Sequence, residues 1–99
     1  MIDSTDLESR SMETAVVGYA ALGDPVRLRV LGLLEAGVRC VCELQEDVGI
    51  APNLLSYHLK VLRRAGLIES TRRGRWIDYR LVPEAVAALR AALPVPGDR

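Results

Sequence analysis

The sequence predicts a mainly helical α+β fold, and three observations support that reading. Helix start and stop signals recur through the first two thirds of the chain, at Asp24-Pro25, Gly37, Gly49, Pro52 and Gly66. Two short segments rich in Ile, Thr, Trp and Tyr then flank Arg72-Arg73-Gly74-Arg75, the pattern of a β-hairpin. A last apolar-periodic stretch opens on Pro83. Together these predict about five helices and a two-stranded hairpin.

Each element has its own local cause. Residues 5–22 read as a first helix, with Leu7, Met12, Val16, Val17, Tyr19, Ala20 and Leu22 as its apolar members, and Gly23 breaks it. Asp24 is placed to cap the second helix, with Pro25 at the first helical position, where its missing N–H costs nothing. That helix runs to Ala36, with Leu28, Val30, Leu31, Leu33 and Leu34 expected inward. A short third helix is expected from about Cys42 to Val48.

The fourth, Pro52 to Ala65, carries two stripes. Leu55, His58, Leu59 and Leu62 form an apolar one, on which His58 reads as a core residue or a structural hydrogen-bonding group. Asn53, Tyr57, Lys60 and Arg64 form a polar, cationic one, with Ser56 and Arg63 beside it. The strands are expected at 67–71 and 76–82, with Trp76, Tyr79 and Leu81 as packing residues, and the last helix runs to about Leu93.

Composition bounds the function. Ninety-nine residues, 49% hydrophobic and 26% charged, fit one globular domain spanning 1–99, with 1–5 and 94–99 expected to fray. No run approaches the length of a membrane span, and the polar, acidic start MIDSTDLESR does not resemble a signal peptide. A cytoplasmic protein with reduced thiols is the expectation. The net charge of zero conceals a division. Residues 1–47 carry nine acids against four arginines, whereas residues 48–82 carry seven basic groups against Glu69 and Asp78. A basic face of this kind suits a polyanion, although charge runs are also ordinary solvated surface. No carboxylate pair, Ser-His-Asp set or phosphate-cradling glycine loop is readable, so an enzyme is not expected.

A short helix, a glycine-containing turn and a second amphipathic helix make a helix-turn-helix pattern, and the basic hairpin after it suits a wing. In such a motif the second helix enters the major groove with its N-terminal residues toward the base edges. Asn53, Ser56 and Tyr57 are therefore candidates for base contact, and Lys60, Arg63, Arg72, Arg73 and Arg75 for phosphate.

The segments ALGDPVRLRVLGLL, CVCEL and LLSYHLKVLRRAGLIESTRRGRWIDYRL resemble the ArsR/SmtB family of bacterial winged helix-turn-helix repressors, over residues 15–93. The resemblance implies a homodimer built on the first and last helices. It also implies a palindromic operator, bound without ligand and released when a metal or metalloid binds. Pro52 departs from the family, whose recognition helix often begins with Gln or Ser.

Cys40 and Cys42 are the only cysteines. In the arsenic-sensing members that the chain resembles, a C-V-C-D/E-L segment binds As(III) or Sb(III) through its thiolates, as soft ligands suit soft ions. Where many such members have a third cysteine, this chain has Gln45. A two-thiolate site remains, completed by a small thiol, water or hydroxide. Arg39 and a nearby helix start would favour thiolate. Residues i and i+2 of a helix point about 200° apart, so a bridging ion is expected to unwind the start of the third helix. Three alternatives stay open: buried core cysteines, a pair that senses oxidation or reactive sulfur, and a winged domain that binds only protein.

Overall fold

The computed structural model describes residues 4–97, and residues 4–9 by their backbone alone. Five helices and a three-stranded antiparallel sheet follow one another as α1 (Ser4–Leu22), α2 (Pro25–Glu35), β1 (Arg39–Cys40), α3 (Val41–Val48), α4 (Pro52–Arg64), β2 (Ile68–Arg73), β3 (Trp76–Leu81) and α5 (Pro83–Ala92). The mainly helical α+β architecture with a hairpin wing is as the sequence predicts. Leu7 and the outermost of the terminal residues expected to fray, 1–3 and 98–99, lie outside the described residues or side chains; 94–97 belong to no helix or strand.

The start signals act as read. The Asp24 carboxylate accepts hydrogen bonds from the N–H groups of Val26 (2.8 Å) and Arg27 (3.3 Å), and Pro25 follows it. At the far end of α4, Gly66 N–H donates to the Arg63 carbonyl (3.0 Å) and Leu67 N–H to the Leu62 carbonyl (3.1 Å). This is a Schellman closure, and it needs the positive φ of 77° at Gly66. It turns the chain from α4 straight into β2, and the leucines that flank it, Leu62 and Leu67, are both core residues.

Three expectations are corrected. First, the sheet has a third strand. β1 pairs with β3, Arg39 opposite Tyr79 and Cys40 opposite Asp78, giving the order β1-β3-β2. A two-residue strand has no periodicity to read. Second, the hairpin turn is two residues long. Arg72 and Arg73 belong to β2, opposite Ile77 and Trp76, and Gly74-Arg75 alone make the turn. Gly74 has φ 63° and Arg75 does not share that positive φ, the pattern of a type II′ turn that matches the strand twist. Third, Leu28 is exposed, because it lies about 200° around α2 from the buried Val30.

The core lies where α2, α3, α4 and the hairpin converge, around Val30, Leu44, Leu55, Leu62, Leu67 and Ile68. It buries the apolar stripe of α4 and so turns the other side of that helix outward. α1 and α5 pack together at one end, where the Tyr19 hydroxyl donates to the Leu89 carbonyl at 2.7 Å.

Candidate nucleic-acid interface and thiol pair

α4 is held on both flanks. Toward α2, Arg27 donates through Nε to the Ala21 carbonyl (2.6 Å) and through Nη1 to Nδ1 of His58 (3.1 Å). A guanidinium only donates, so Nδ1 accepts and the ring proton sits on Nε2. His58 therefore makes a structural hydrogen bond. Its ring also stands edge-on to that of Tyr57, with centroids 5.4 Å apart. Toward α3, the turn is tied by Gln45, whose side-chain amide donates to the Ile50 carbonyl. Arg29 donates to the Asp47 carbonyl (2.8 Å), while Arg39 pairs with the Asp47 carboxylate at 3.3 Å. The Arg39 charge is thus directed at Asp47 and is not reserved for the cysteines.

All five candidate residues of α4, Asn53, Ser56, Tyr57, Lys60 and Arg63, are exposed. Ala51 caps this helix without a side-chain acceptor, and Pro52 holds its first position, so its leading end offers few polar groups. Arg72, Arg73 and Arg75 are also exposed, but they are not equivalent. As neighbours on a strand, Arg72 and Arg73 point to opposite faces of the sheet. Arg73 is bound to Asp78 through Nε (2.9 Å) and Nη2 (3.3 Å). That hydrogen bonding holds the Asp78 carboxyl below its ordinary range and pushes Arg73 upward. Sequence reasoning missed Asp78. The signal was its place, diagonal to Arg73 on one face once the turn is two residues long.

A disulfide joins Cys40 and Cys42, their Cα atoms 5.4 Å apart. Reduced thiols were expected, and so was a helix that must unwind to bring the sulfurs together. Neither describes this structure, for one geometric reason. Cys40 is not helical: it closes β1 with extended backbone (φ −77°, ψ 160°) and caps α3, while Cys42 lies in the first turn. Cys40 is buried (8% exposed) and Cys42 is open to solvent. Glu43 accepts from the Cys40 N–H at 3.1 Å, fixing the junction. Among the described residues no three His, Cys, Asp or Glu side chains gather as a metal cluster.

The family model for the bacterial regulatory proteins of the arsR family matches residues 24–70, from the cap of α2 into β2. A transcriptional regulator of Methanocaldococcus jannaschii is 36% identical over 75% of this chain and 84% of its own length. The chain belongs to the ArsR family. The arsenical resistance operon repressor of Bacillus subtilis is 40% identical over 72% of this chain and 69% of that protein. Among solved structures, a homodimeric winged helix-turn-helix DNA-binding domain from Mycobacterium bovis is 31% identical. It superposes with a TM-score of 0.78, covering 92% of this chain and 84% of that one. As an ArsR-family transcriptional repressor the chain is a DNA-binding regulator and not an enzyme. Among the described residues no helix is long and apolar enough to cross a membrane.

Proposed function

We propose that this chain, as a single domain in the cytoplasm, forms a homodimeric repressor on a palindromic operator and releases it when Cys40 and Cys42 capture As(III) or Sb(III). The observation that carries the reading is the placement of the two sulfurs. They meet at the start of the helix before α4, one buried and one open. Two electrons from a thiol reductant, which leaves as its own disulfide, convert their bond to two thiolates, and a small thiol, water or hydroxide completes three-coordination. An ion inserted between the sulfurs spreads them beyond a direct bond, and the displacement falls on the cap of α3. The B. subtilis arsenical resistance repressor supports the metalloid class. The homodimeric M. bovis domain supports the dimer, as do Met12, Val16 and Val17, apolar and exposed on α1. Asn53, Ser56 and Tyr57 then face bases, while Lys60, Arg63, Arg72, Arg73 and Arg75 hold phosphate.

The disulfide favours a second reading, in which the pair senses oxidation or reactive sulfur. Peroxide removes two electrons and two protons from the thiols as the S–S bond forms, and leaves as two waters. One experiment separates the readings. Reduced protein on labelled operator is titrated with arsenite and, separately, with peroxide or persulfide, following release by fluorescence anisotropy. Release by arsenite alone supports the first reading, and release by the oxidants alone the second. Release by neither would falsify both and leave the cysteines as packing residues.

A further inference from the structure

On the recognition helix an exposed leucine has no part in the contacts assigned so far. Leu54, in the first turn of α4, is 50% exposed, whereas Leu55, Leu59 and Leu62 fill the core. Its neighbour one turn on is Tyr57, 58% exposed, and residues at i and i+3 adjoin on a helix surface. The two make an apolar patch at the leading end of α4, bordered by Asn53 and Lys60. Ala51 and Pro52 add no side-chain donor or acceptor there, so hydrogen bonding has little to work with at the end of the helix that meets base edges. In the major groove the apolar group on a base edge is the thymine 5-methyl. The cations along the same helix, Lys60, Arg63 and Arg64, identify a polyanion and not an apolar protein surface as the occupant.

We propose that Leu54, packed beside the Tyr57 ring, reads a thymine methyl in each half-site and is a specificity-determining residue. The proposal rests on the operator-binding reading above. It also gives the leading end of α4, where Pro52 offers no hydrogen-bonding group, an apolar contact beside those of Asn53, Ser56 and Tyr57.

The test is methyl scanning with the full chain. A duplex is first selected from a random pool, and each thymine is then replaced by deoxyuridine, which removes the methyl and keeps every hydrogen-bonding group. At one symmetry-related position, affinity is expected to fall roughly fourfold per half-site, the effect of one methyl leaving an apolar contact. Leu54→Ala is expected to bind the thymine and deoxyuridine sites equally, and Leu54→Met to restore the difference. Leu54 is outside the core, so these variants keep the fold, checked by circular dichroism. Parent protein indifferent to deoxyuridine at every position overturns the proposal. So does Leu54→Ala retaining the parent's methyl dependence, or altering self-association while DNA binding is unchanged. Failure to select any duplex overturns the operator reading itself, a result distinguishable from all of these.

Discussion

Arg27 on α2 and His58 on α4 meet guanidinium to imidazole at 3.1 Å, and the same guanidinium holds the last turn of α1 through the Ala21 carbonyl. One side chain therefore ties three helices, with His58 passing the constraint to the Tyr57 ring. Lysine keeps the charge but lacks the planar fork that serves two acceptors at once. Arg27→Lys should lower stability by about 1–2 kcal/mol in urea denaturation, the scale of a partly buried polar group left unpaired. It should also weaken operator binding. Unchanged stability would show that the fork is idle.

Acid should act on the same corner through Asp24. Burial raises its carboxyl, but hydrogen bonds from the Arg27 and Val26 N–H groups, joined by nearby positive charge, together hold it below its ordinary 3.8. Its contribution to stability is therefore complete above 3.8 and lost as pH falls through the lower folded-state value. Asp24→Asn keeps a capping oxygen and removes the charge. Between about pH 5 and 2 the parent should lose more thermal stability than Asp24→Asn. Parallel curves would remove Asp24 from the acid response.

The wing arginines should differ in their salt dependence. Arg75 in the turn has no acid holding it among the described ion pairs, whereas Arg73 is matched by Asp78. Arg75→Ala should reduce the slope of log K against log salt by about 0.9, the effect of one lost phosphate contact. Arg73→Ala should reduce it less, and Asp78→Asn should steepen it by releasing Arg73. Equal losses at Arg73 and Arg75 would mean that DNA strips Asp78 from its partner.

Cys40→Ser and Cys42→Ser should each bind operator as the reduced parent does, yet fail to release it on arsenite. Serine preserves size and removes the soft thiolate, and one remaining sulfur cannot bridge. Because Cys40 is buried and Cys42 is not, any loss of stability should be larger at Cys40. Release by either variant at the parent's arsenite concentration would rule out a two-sulfur site.

Much of the fold was legible because its signals are local. Asp24-Pro25, Gly66 and the apolar stripe Leu55, Leu59, Leu62 each act within a turn or two of helix. What escaped depends on pairing across distance. The two residues of β1 become a strand only because β3 offers an edge to Arg39 and Cys40. Without that edge, helix geometry at the start of α3 is what the pair suggests, and on it the sulfurs diverge. The Arg73–Asp78 pair was hidden for a related reason. Counting Arg72 to Arg75 as a four-residue turn leaves the register open, and register decides which side chains share a face. Leu54 was overlooked because it falls on neither the apolar nor the polar stripe of α4, and only its exposure brings it forward.

Cys40 belongs to two machines at once. It is the last residue of β1 and the cap of α3. Across the sheet it faces Asp78, the carboxylate that grips Arg73; on its other side its N–H is gripped by Glu43, whose charge also reaches Arg73. The wing and the helix beneath the reading head are thus sewn together by one stitch, and the sulfur is on the thread. Bonding there has no distance to travel through the protein. On the proposed reading it would alter the angle between two surfaces that have to fit one duplex together, and a two-fold assembly would repeat that misfit at its other half.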